Sequence, residues 1–566
     1  MKRKNRLFYL LLSLAVCFCL TALPLSPVGA LGAFAEETPA EETEAAKTVS
    51  RVAAPTEYRA VKTFSADAAL KGDKIASDGQ DENAVLVTGG EVALNGVTLS
   101  RESAGSAGGA LANEYGVGAA LLATGGRAYV ANAEIKTASK GSAGAFSYGD
   151  GTVYLADTRI STSEPGAGGL QVAGGGKLYA WDLDVSTGAL TSGAVTGSGD
   201  GALTVNGGTY NAAAAPAVKA GADITIANAT LTSPASDGAT VSDKHTLLLF
   251  DTSLSCNMAD DLFNDCTWSV LLNDEKRSDN VGKTTFQMSG GELHSANGGL
   301  FYTTNAESEV RLTNVKIEAA PDCEFLLRCT GNASRNGWGT PGSNGADCTF
   351  IAAQQEMAGD VLWDADSELD MYLFRSASLT GAFRQVDAAG EDGDREEGGL
   401  SGRASLFISE DSIWTVTESC RLTALYNENG NAAISDLAGN AVTIKGTNGT
   451  VYLKGPSDLT VTVDVYSDTA NFENVDRFVA KGDSLADVPE LLQSKRHEKT
   501  TAPEGEGQTD YADLYYNSQQ AQMKRVVTLI VIVAGACLTL IVILRITGAV
   551  SARRRTRERQ RDRWEE

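Results

Sequence analysis

A short run of alternating apolar residues recurs along most of this chain at nearly constant spacing. Nine such runs lie between residues 92 and 317, among them VALNGVTL, YVANAEI, VYLADTRI and LYAWDLDV. Their last apolar residues are Leu99, Ile135, Ile160, Val185, Tyr210, Leu231, Leu254, Leu293 and Ile317. Six of the eight steps between these residues are 21–25 positions long. Such a short period indicates one repeated supersecondary unit rather than several separate domains.

Each unit offers three short strands joined by tight bends. The period-two alternation predicts that each run is a β-strand. A Gly-rich corner such as 174–176 precedes the run, and a further apolar segment such as GLQVA (169–173) precedes that corner. Asn or Gly, for example Asn132 or Asn228, bends the run in its middle. Gly and Asn suit these bends because they tolerate positive φ.

These bends decide how the strands pair. Strands separated by tight corners cannot pair within one unit, so each must pair with its equivalent one unit further on, at ~4.8 Å. The sequence therefore predicts an all-β fold, a parallel β-helix (solenoid) over residues 61–470, in which Ile135, Ile160 and Val185 stack as an internal ladder. Tandem immunoglobulin-like domains would need repeats of ~100 residues. Leucine-rich repeats would need an L-x-x-L-x-L frame, which these units lack.

Two apolar segments indicate where the chain is located. Basic residues at 2–6, an apolar stretch at 7–23 and the A-F-A site at 33–35 predict a secretory signal peptide over residues 1–35, with an uncleaved N-terminal anchor as the alternative. Residues 526–544 carry no charge in 19 positions, which predicts one C-terminal transmembrane α-helix. We interpret 36–60 as a disordered acidic linker and 471–525 as a stalk.

Charge sets the orientation and excludes one class of partner. Residues 545–566 contain eight Arg and four acidic residues, and the more basic flank of a membrane span stays in the cytoplasm. We therefore expect a single-pass type I protein of the cell membrane, with an extracellular ectodomain and a cytoplasmic tail that contacts lipid headgroups or, alternatively, a cytosolic partner. Residues 36–544 contain 35 basic and 68 acidic residues. This surplus repels phosphate backbones, which excludes nucleic acid as a partner.

Six cysteines lie in the predicted ectodomain: Cys256, Cys266, Cys323, Cys329, Cys348 and Cys420. An even number in an exported chain permits disulfides. The sequence does not fix their pairing, although Cys256–Cys266 and Cys323–Cys329 would each close a short loop. Small buried core residues are the equal alternative. With no C-x-x-C pair and three His in the whole chain, a zinc site has almost no ligands to use.

Acidic clusters supply the candidate metal and catalytic groups. The first cluster comprises Asp364, Asp366, Glu368 and Asp370. A strand would put these four on one face, where their oxygens could bind Ca²⁺; no other cofactor is expected. The second comprises Asp260, Asp261 and Asp265, and glycoside hydrolysis needs two carboxylates facing one sugar. Solvated acids explain both clusters more simply, so we predict no catalytic residues, and we interpret the run 391–397 as a mobile acidic loop.

Tryptophans supply the candidate ligand contacts. Trp268 and Trp338 lie in loop-like sequence, where a ring could stack on a sugar face. Trp363 and Trp414 lie in strand-like runs and are predicted to be core residues. His245 and His294, the two histidines within the repeats, are interpreted as corner residues rather than acid–base groups.

Several stretches resemble a known protein family. They are NAVLVTGGEVALNGVTLS (83–100), GVGAALLATGG (116–126), LFYTTNAES (300–308), CTGNASRNGWGTPGSNGADCTF (329–350) and SIWTVTESCRLTALYN (412–427). They resemble a broad, largely uncharacterised family of secreted or surface β-helix proteins of Gram-positive, mostly anaerobic gut bacteria, over nearly the whole predicted ectodomain. The resemblance implies a right-handed, pectate-lyase-like β-helix on the cell surface, described as adhesin-like by analogy. It brings no catalytic residues with it.

Together these features favour a non-catalytic, adhesin-like spacer anchored in the membrane. Its longer loops, at 101–118, 256–282, 328–348 and 384–402, would contact an extracellular glycan, a matrix or another cell. An extracellular polysaccharide lyase or hydrolase is the alternative, since β-helices host such enzymes, although a fold alone does not assign an activity. A purely structural envelope component is a third.

Overall fold

The computed structural model describes residues 52–260, 264–274, 282–387 and 402–496. The predicted signal peptide, the predicted transmembrane helix 526–544, the basic tail 545–566 and the acidic run 391–397 lie outside the described residues. Within them, no helix is long and apolar enough to cross a membrane.

The described chain is built almost entirely from short β-strands. The first fourteen are β1 Arg59–Phe64, β2 Ala68–Lys71, β3 Lys74–Ser77, β4 Glu82–Val87, β5 Glu91–Asn95, β6 Thr98–Glu102, β7 Leu121–Ala123, β8 Arg127–Ala131, β9 Glu134–Ala138, β10 Ala145–Tyr148, β11 Thr152–Ala156, β12 Arg159–Thr162, β13 Leu170–Ala173 and β14 Lys177–Thr187. The next twelve are β15 Val195–Ala212, β16 Val218–Ala227, β17 Thr230–Ser233, β18 Ala239–Ser242, β19 Thr246–Cys256, β20 Val270–Asn273, β21 Thr284–Ser295, β22 Phe301–Thr304, β23 Glu307–Thr313, β24 Lys316–Glu318, β25 Leu327–Cys329 and β26 Asp347–Ala353. The last twelve are β27 Glu356–Ala358, β28 Val361–Trp363, β29 Glu368–Phe374, β30 Ser378–Thr380, β31 Phe383–Gln385, β32 Arg403–Ile408, β33 Ile413–Val416, β34 Cys420–Asn427, β35 Ile434–Asp436, β36 Thr443–Gly446, β37 Val451–Leu453 and β38 Thr460–Ser467. The helical elements are α1 Ala110–Tyr115, a 3₁₀ turn at Gly430–Ala433, α2 Lys481–Ser484 and α3 Glu490–Arg496.

Each coil of the chain contributes one strand, or part of a long strand, to each of three faces. Face A comprises β1, β4, β7, β10, β13, β15, β16, β18, β20, β22, β25, β28 and β31. Face B comprises β2, β5, β8, β11, β14, β15, β16, β19, β21, β23, β26, β29, β32, β34 and β38. Face C comprises β3, β6, β9, β12, β14, β15, β17, β19, β21 and β24, followed by the separate sheet β27–β30–β33–β35. Strands therefore pair with their equivalents one coil away, and the fold is a β-solenoid.

The internal ladder expected from the repeat is confirmed. Ile135 pairs in parallel register with Leu99 on one side and with Ile160 on the other, and Ile160 pairs with Val185. The same register continues through Tyr210, Leu231, Leu254, Leu293 and Ile317. Ile75 adds one coil before Leu99, which the sequence pattern did not show. Complete burial of each Leu or Ile side chain contributes ~1.5–3 kcal/mol, so this row is a principal source of cohesion between coils.

The corner between faces B and C stays tight in most coils because it bends at one residue with positive φ. These residues include Gly96, Asn132, Asp157, Asp182, Gly207, Asn228, Asp251, Gly290, Asn314, Gln354 and Arg375. At Gly208 the corner also needs the missing side chain, since a Cβ there would lie 2.3 Å from the Leu183 carbonyl oxygen. The repeated left-handed bend explains why Gly, Asn and Asp recur in the middle of the runs.

The long insertions lie at the two corners that border face A. Residues 103–120 and 257–269 connect face C to face A, whereas 274–283, 330–346 and 386–402 connect face A to face B. One predicted loop needs correction: 256–282 is interrupted by β20, a buried face A strand that pairs with β18 and β22. Val270 and Leu272 of β20 are fully buried in the solenoid core. Face A is thus bordered by inserted loops on both sides.

A C-terminal segment, residues 471–494, lies along the outer side of face B, and we call it the strap. The sequence predicts that this segment is part of a stalk, but its apolar side chains pack against apolar side chains that face outwards from the solenoid. Phe472 and Val475 pack with Phe374, Leu485 packs with Phe250, and Leu492 is buried in a cluster with Trp181. The strap therefore runs against the direction of the solenoid, from the coil of β29 to the coils of β8, β11 and β14.

Polar contacts also fix the strap. The backbone N–H and C=O of Val479 bond to the Gln287 carboxamide at 2.9 Å each. Lys481 Nζ lies 2.7 Å from Asp251 Oδ2 and 2.6 Å from Asn228 Oδ1, both at the corner between faces B and C. The Gln287 carboxamide thus satisfies the backbone N–H and C=O of Val479, as a neighbouring β-strand would.

Candidate functional site

Two insertions that belong to different coils meet on the outer side of face A. The first is 257–269, of which 257–260 and 264–269 are described, and the second is 330–346. We call them together the loop cluster. Beneath it, the outward row of face A runs Leu271, Tyr302, Arg328 and Leu362 in parallel register. The regular coils therefore supply a flat base, and the insertions supply the features that differ from coil to coil.

The centre of the loop cluster is aromatic. The Trp268 ring lies 5.4 Å from the Tyr302 ring and 6.1 Å from the Trp338 ring, measured between centroids. Met258, Cys266, Leu271 and Phe325 complete this apolar cluster. The structure thus brings together the two tryptophans proposed from the sequence as glycan contacts.

The two tryptophans have different surroundings. Trp268 is only 4% exposed, so its ring serves as a buried support and presents almost no face to a ligand. Its indole N–H has no hydrogen-bond partner among the described residues. Trp338 is half-buried against Trp268 and keeps part of its surface accessible. Of the pair, Trp338 is therefore the side chain that can touch a ligand.

Polar contacts join the two insertions at their edges. Asp265 Oδ2 accepts a 2.8 Å hydrogen bond from the backbone N–H of Ala333, and its Oδ1 lies 3.7 Å from Arg335 Nη1. Asn336 Nδ2 donates to Asn264 Oδ1 at 3.0 Å. Asp265, which belonged to the second acidic cluster of the sequence, thus has a structural role in joining the insertions.

The turn that carries Trp338 is held by side chains of its own loop. Ser334 Oγ donates to the carbonyl oxygens of Gly339 and Trp338, at 2.7 and 3.1 Å. Asn344 Nδ2 donates to the same Trp338 carbonyl at 3.0 Å. Gly339 has a φ of +68°, and a Cβ there would lie 2.4 Å from Asn305 Oδ1. The turn is therefore held in one conformation against the adjacent coil, so a ligand that contacted Trp338 would not have to order it.

The first acidic cluster is divided in the structure. Asp364 and Asp366 precede β29 rather than lying on it, whereas Glu368 and Asp370 lie on its outer face. Asp364 is fully buried, and it accepts hydrogen bonds from the backbone N–H groups of Gly331 (2.8 Å) and Asp366 (3.1 Å). Burial raises the pKa of Asp364 despite these bonds. This carboxyl group holds the base of the 330–346 insertion.

Glu368 and Asp370 are engaged by a cation of the next coil. Arg403 Nε lies 2.9 Å from Glu368 Oε2, and Arg403 Nη1 lies 2.7 Å from Asp370 Oδ1. In the part of the chain that is described, no group of three or more His, Cys, Asp or Glu side chains is arranged to hold a metal ion. The four proposed Ca²⁺ ligands are therefore not gathered into one site.

The remaining tryptophans and histidines considered from the sequence lie in the core or contact neighbouring strands and corners. Trp363 and Trp414 are core residues, as predicted, and the Trp414 indole N–H donates to the Gly381 carbonyl at 2.9 Å. His245 lies at a corner, with its Nδ1 3.7 Å from Asp223 Oδ1, and this proximity lowers the pKa of Asp223. His294 lies within β21 rather than at a corner, and its Nδ1 is 3.4 Å from Glu318 Oε2.

Sequence reasoning missed an aromatic stack on the outer side of face B. The rings of Tyr129, Tyr154 and Tyr179 lie one coil apart, with centroid distances of 4.9 and 5.2 Å and nearly parallel planes. Their spacing of 25 residues at the same place in three consecutive runs was the available signal. The end of the strap packs against this stack, since Leu491 and Leu492 belong to the same apolar cluster.

Comparison with known proteins adds no relative. No protein-family model matches this chain, and neither a curated protein nor a solved structure matches it significantly.

Proposed function

We propose that this chain is a non-catalytic, adhesin-like protein of a Gram-positive cell surface. In this proposal, residues 1–35 direct export, residues 526–544 anchor the chain in the cell membrane, and a right-handed β-solenoid holds the loop cluster away from the membrane. The observation that carries the proposal is the convergence of two insertions from different coils into one ordered cluster above an otherwise regular solenoid. Regular stacking supplies stiffness, and ordered insertions supply specificity.

The chemistry of the loop cluster favours a neutral glycan as its ligand. A half-buried tryptophan surrounded by amide and hydroxyl groups can cover an apolar sugar face while donating and accepting hydrogen bonds at its edge. Trp338 is bordered by the exposed residues Arg335, Asn336 and Thr340. The strongly acidic ectodomain disfavours acidic polysaccharides. A protein ligand is the other outcome that the test distinguishes.

The course of the strap supports an anchored arrangement. Leu492 packs at the coil of β14, so the described chain ends beside the N-terminal part of the solenoid. The loop cluster lies four to six coils further on, which corresponds to roughly 20–30 Å at the usual strand spacing. A tether that begins beside the N-terminal coils and a binding surface placed further along suit a spacer.

A glycan array probed with the full-length chain in detergent tests the proposal. We expect binding to neutral oligosaccharides, weakened about tenfold or more by Trp338→Ala, which corresponds to ~1.4 kcal/mol. Leu190→Ala is the control, because Leu190 is 58% exposed on the connection between β14 and β15, outside the loop cluster, and its loss should leave binding unchanged.

Two outcomes would redirect the assignment. Release of reducing ends or unsaturated uronates from any glycan would favour the alternative of an extracellular polysaccharide lyase or hydrolase. Retention of a protein ligand by the wild type but not by Trp338→Ala, without glycan binding, would move the proposed partner from glycan to protein. Equal binding by wild type and Trp338→Ala would overturn the assignment of the loop cluster.

A further inference from the structure

Two cysteines border the insertion that carries Trp338. Cys329 is the last residue of β25, and Cys348 is the second residue of β26. Both side chains point into the solenoid core, with exposures of 0% and 1%. Between them lie the 18 residues of the 330–347 connection, the described insertion that presents Trp338. The two thiols therefore sit at the two ends of one functional loop.

The contacts of the Cys329 sulfur show that it lies close to Cys348. Cys329 Sγ lies 3.7 Å from the carbonyl oxygen of Ala346 and 3.6 Å from that of Glu368. Ala346 is two residues before Cys348, and Glu368 precedes Leu369, the residue that pairs with Cys348 in the next coil. The Cys348 thiol is close enough to Cys329 to affect its ionisation. Cys329 thus lies beside Cys348 across the inside of one corner.

The other candidate pairs have different neighbours. Cys256 Sγ points to the carbonyl oxygen of His294 at 3.7 Å, and Cys323 Sγ points to that of Phe325 at 3.3 Å. The structure shows all six cysteines of the ectodomain as thiols. The sequence left the disulfide pairing open. The geometry favours Cys329–Cys348, a pairing that the spacing of the cysteines alone did not suggest.

We propose that Cys329 and Cys348 form a disulfide in the exported protein, which closes the base of the loop that carries Trp338. The inference depends on export, and hence on that part of the proposed function, because disulfides persist outside the cytoplasm and are rare inside it. A covalent link at the base of an 18-residue connection removes many open conformations of that loop.

The chemistry is thiol–disulfide exchange. The thiolate of one cysteine attacks the disulfide of an extracytoplasmic oxidoreductase and forms a mixed disulfide. The second cysteine then attacks the protein sulfur of that mixed disulfide, which forms the Cys329–Cys348 bond and releases the oxidoreductase as a dithiol. Two electrons and two protons thus pass from the two thiols to the oxidoreductase.

Burial determines when this exchange can occur. Desolvation in the core, reinforced by the Cys348 thiol, raises the pKa of Cys329 well above its ordinary value. A buried neutral thiol is a poor nucleophile. The bond must therefore form while the chain folds, before β26 covers Cys329, and afterwards it is shielded from reductant.

Peptide mapping of the full-length chain tests the proposal. The protein is expressed with its signal peptide in an exporting Gram-positive host, alkylated during denaturation, and digested without reductant. We expect a linked peptide pair containing Cys329 and Cys348, two hydrogens lighter than the sum of the free peptides. The same chain made without export should carry alkyl groups at both positions. Alkylation of both cysteines in the exported chain, or linkage of Cys329 to Cys323, would overturn the proposal.

A second measurement follows the loop itself. Trypsin cleavage after Arg335 should be about tenfold slower in the folded, exported chain than in the same chain made without export, because the closed loop opens less often. The double variant Cys329→Ala/Cys348→Ala should be cleaved at the faster rate whether or not it is exported, and Cys420→Ala should behave like the wild type. Equal cleavage of the exported and the non-exported wild type would contradict the proposal. A linked protein that binds no glycan would contradict only the proposed function, whereas glycan binding with free thiols would contradict only the disulfide.

Discussion

Leu492, near the C-terminal end of the described chain, is completely buried in one apolar cluster with Trp181 on the outer side of face B. This contact brings the end of the described chain back to the coils near its beginning. The strap that connects them crosses face B from the coil of β29 to that of β8. Consequently, the outer side of face B is covered along much of its length, whereas face A is bordered by the insertions. The two faces therefore have different roles: one receives the strap and the other carries the loop cluster.

Removal of the Leu492 contact should release the end of the strap without unfolding the solenoid. Leu492→Asp loses the burial of one leucine and introduces a carboxylate that burial disfavours, so opening of the strap should become easier by at least ~2 kcal/mol, or about 30-fold. Hydrogen exchange of the amides at 480–494 should be faster by that factor, while exchange in β9 and β12 stays unchanged.

The control for this change lies in the same segment. Val479 is 37% exposed and is held through its backbone, so Val479→Ser should leave strap exchange nearly unchanged. Equal exchange in the wild type and Leu492→Asp would show that Leu492 does not hold the strap.

The internal ladder should be sensitive to truncation at its centre. Ile160 is fully buried between Ile135 and Val185, so Ile160→Ala removes buried surface and leaves a cavity, at a cost of ~2–5 kcal/mol. Urea-induced loss of β-structure should shift to lower concentration. Ile413→Ala is the control, because Ile413 is 46% exposed, and we expect a change within ~0.5 kcal/mol. A core variant no less stable than this control would contradict the stacked ladder.

The solenoid could be predicted from the sequence because the pattern of apolar residues that specifies it is periodic. Alternation identifies the strands, and the near-constant step from Ile135 to Ile160 to Val185 fixes which residues stack. The Tyr129–Tyr154–Tyr179 stack has the same spacing, although it was not predicted. Where the period broke, prediction failed: β20 was hidden inside what we interpreted as one loop, because two insertions border its four residues.

The site and the strap could not be derived in this way. Whether Trp268 and Trp338 are in contact depends on the corner from which each insertion extends. The positions of these corners are known only when the register of every coil is known. The docking of Leu492 depends on side chains that face outwards from distant coils, which alternation marks as solvent-facing. Likewise, a two-residue spacing placed Asp364 and Asp370 on one strand, whereas β29 begins only at Glu368.

Removal of divalent cations should leave the stability of the protein unchanged. The Glu368 and Asp370 carboxylates are engaged by Arg403, and the Asp364 carboxylate is engaged by backbone N–H groups. The thermal midpoint should therefore be the same with excess chelator and with millimolar Ca²⁺. Binding of Ca²⁺ to the folded state alone would raise the midpoint with concentration. A rise of several degrees that Asp364→Asn abolishes would establish the Ca²⁺ site considered from the sequence.

Asp237 should make the solenoid more stable as the pH falls. The residue is buried on the corner that precedes β18, where Ser236 Oγ (2.8 Å) and Thr240 Oγ1 (3.0 Å) donate to its carboxylate. Desolvation nevertheless prevails and raises its pKa above the ordinary value of 3.8. Between that value and the raised pKa, the folded state binds more proton than the unfolded state. Stability from this group therefore decreases as the pH rises through that interval.

A variant isolates this contribution from those of the other acids. Asp237→Asn cannot ionise, and its carboxamide can keep both hydroxyl partners because a hydroxyl can also accept. The difference in unfolding free energy between the variant and the wild type, measured by urea denaturation at a series of pH values, should grow in favour of the variant as the pH rises above 4 and then level off above the raised pKa. A difference independent of pH would mean that Asp237 titrates alike in both states. A difference that shrinks with rising pH would mean that its hydroxyl partners, rather than burial, dominate its ionisation.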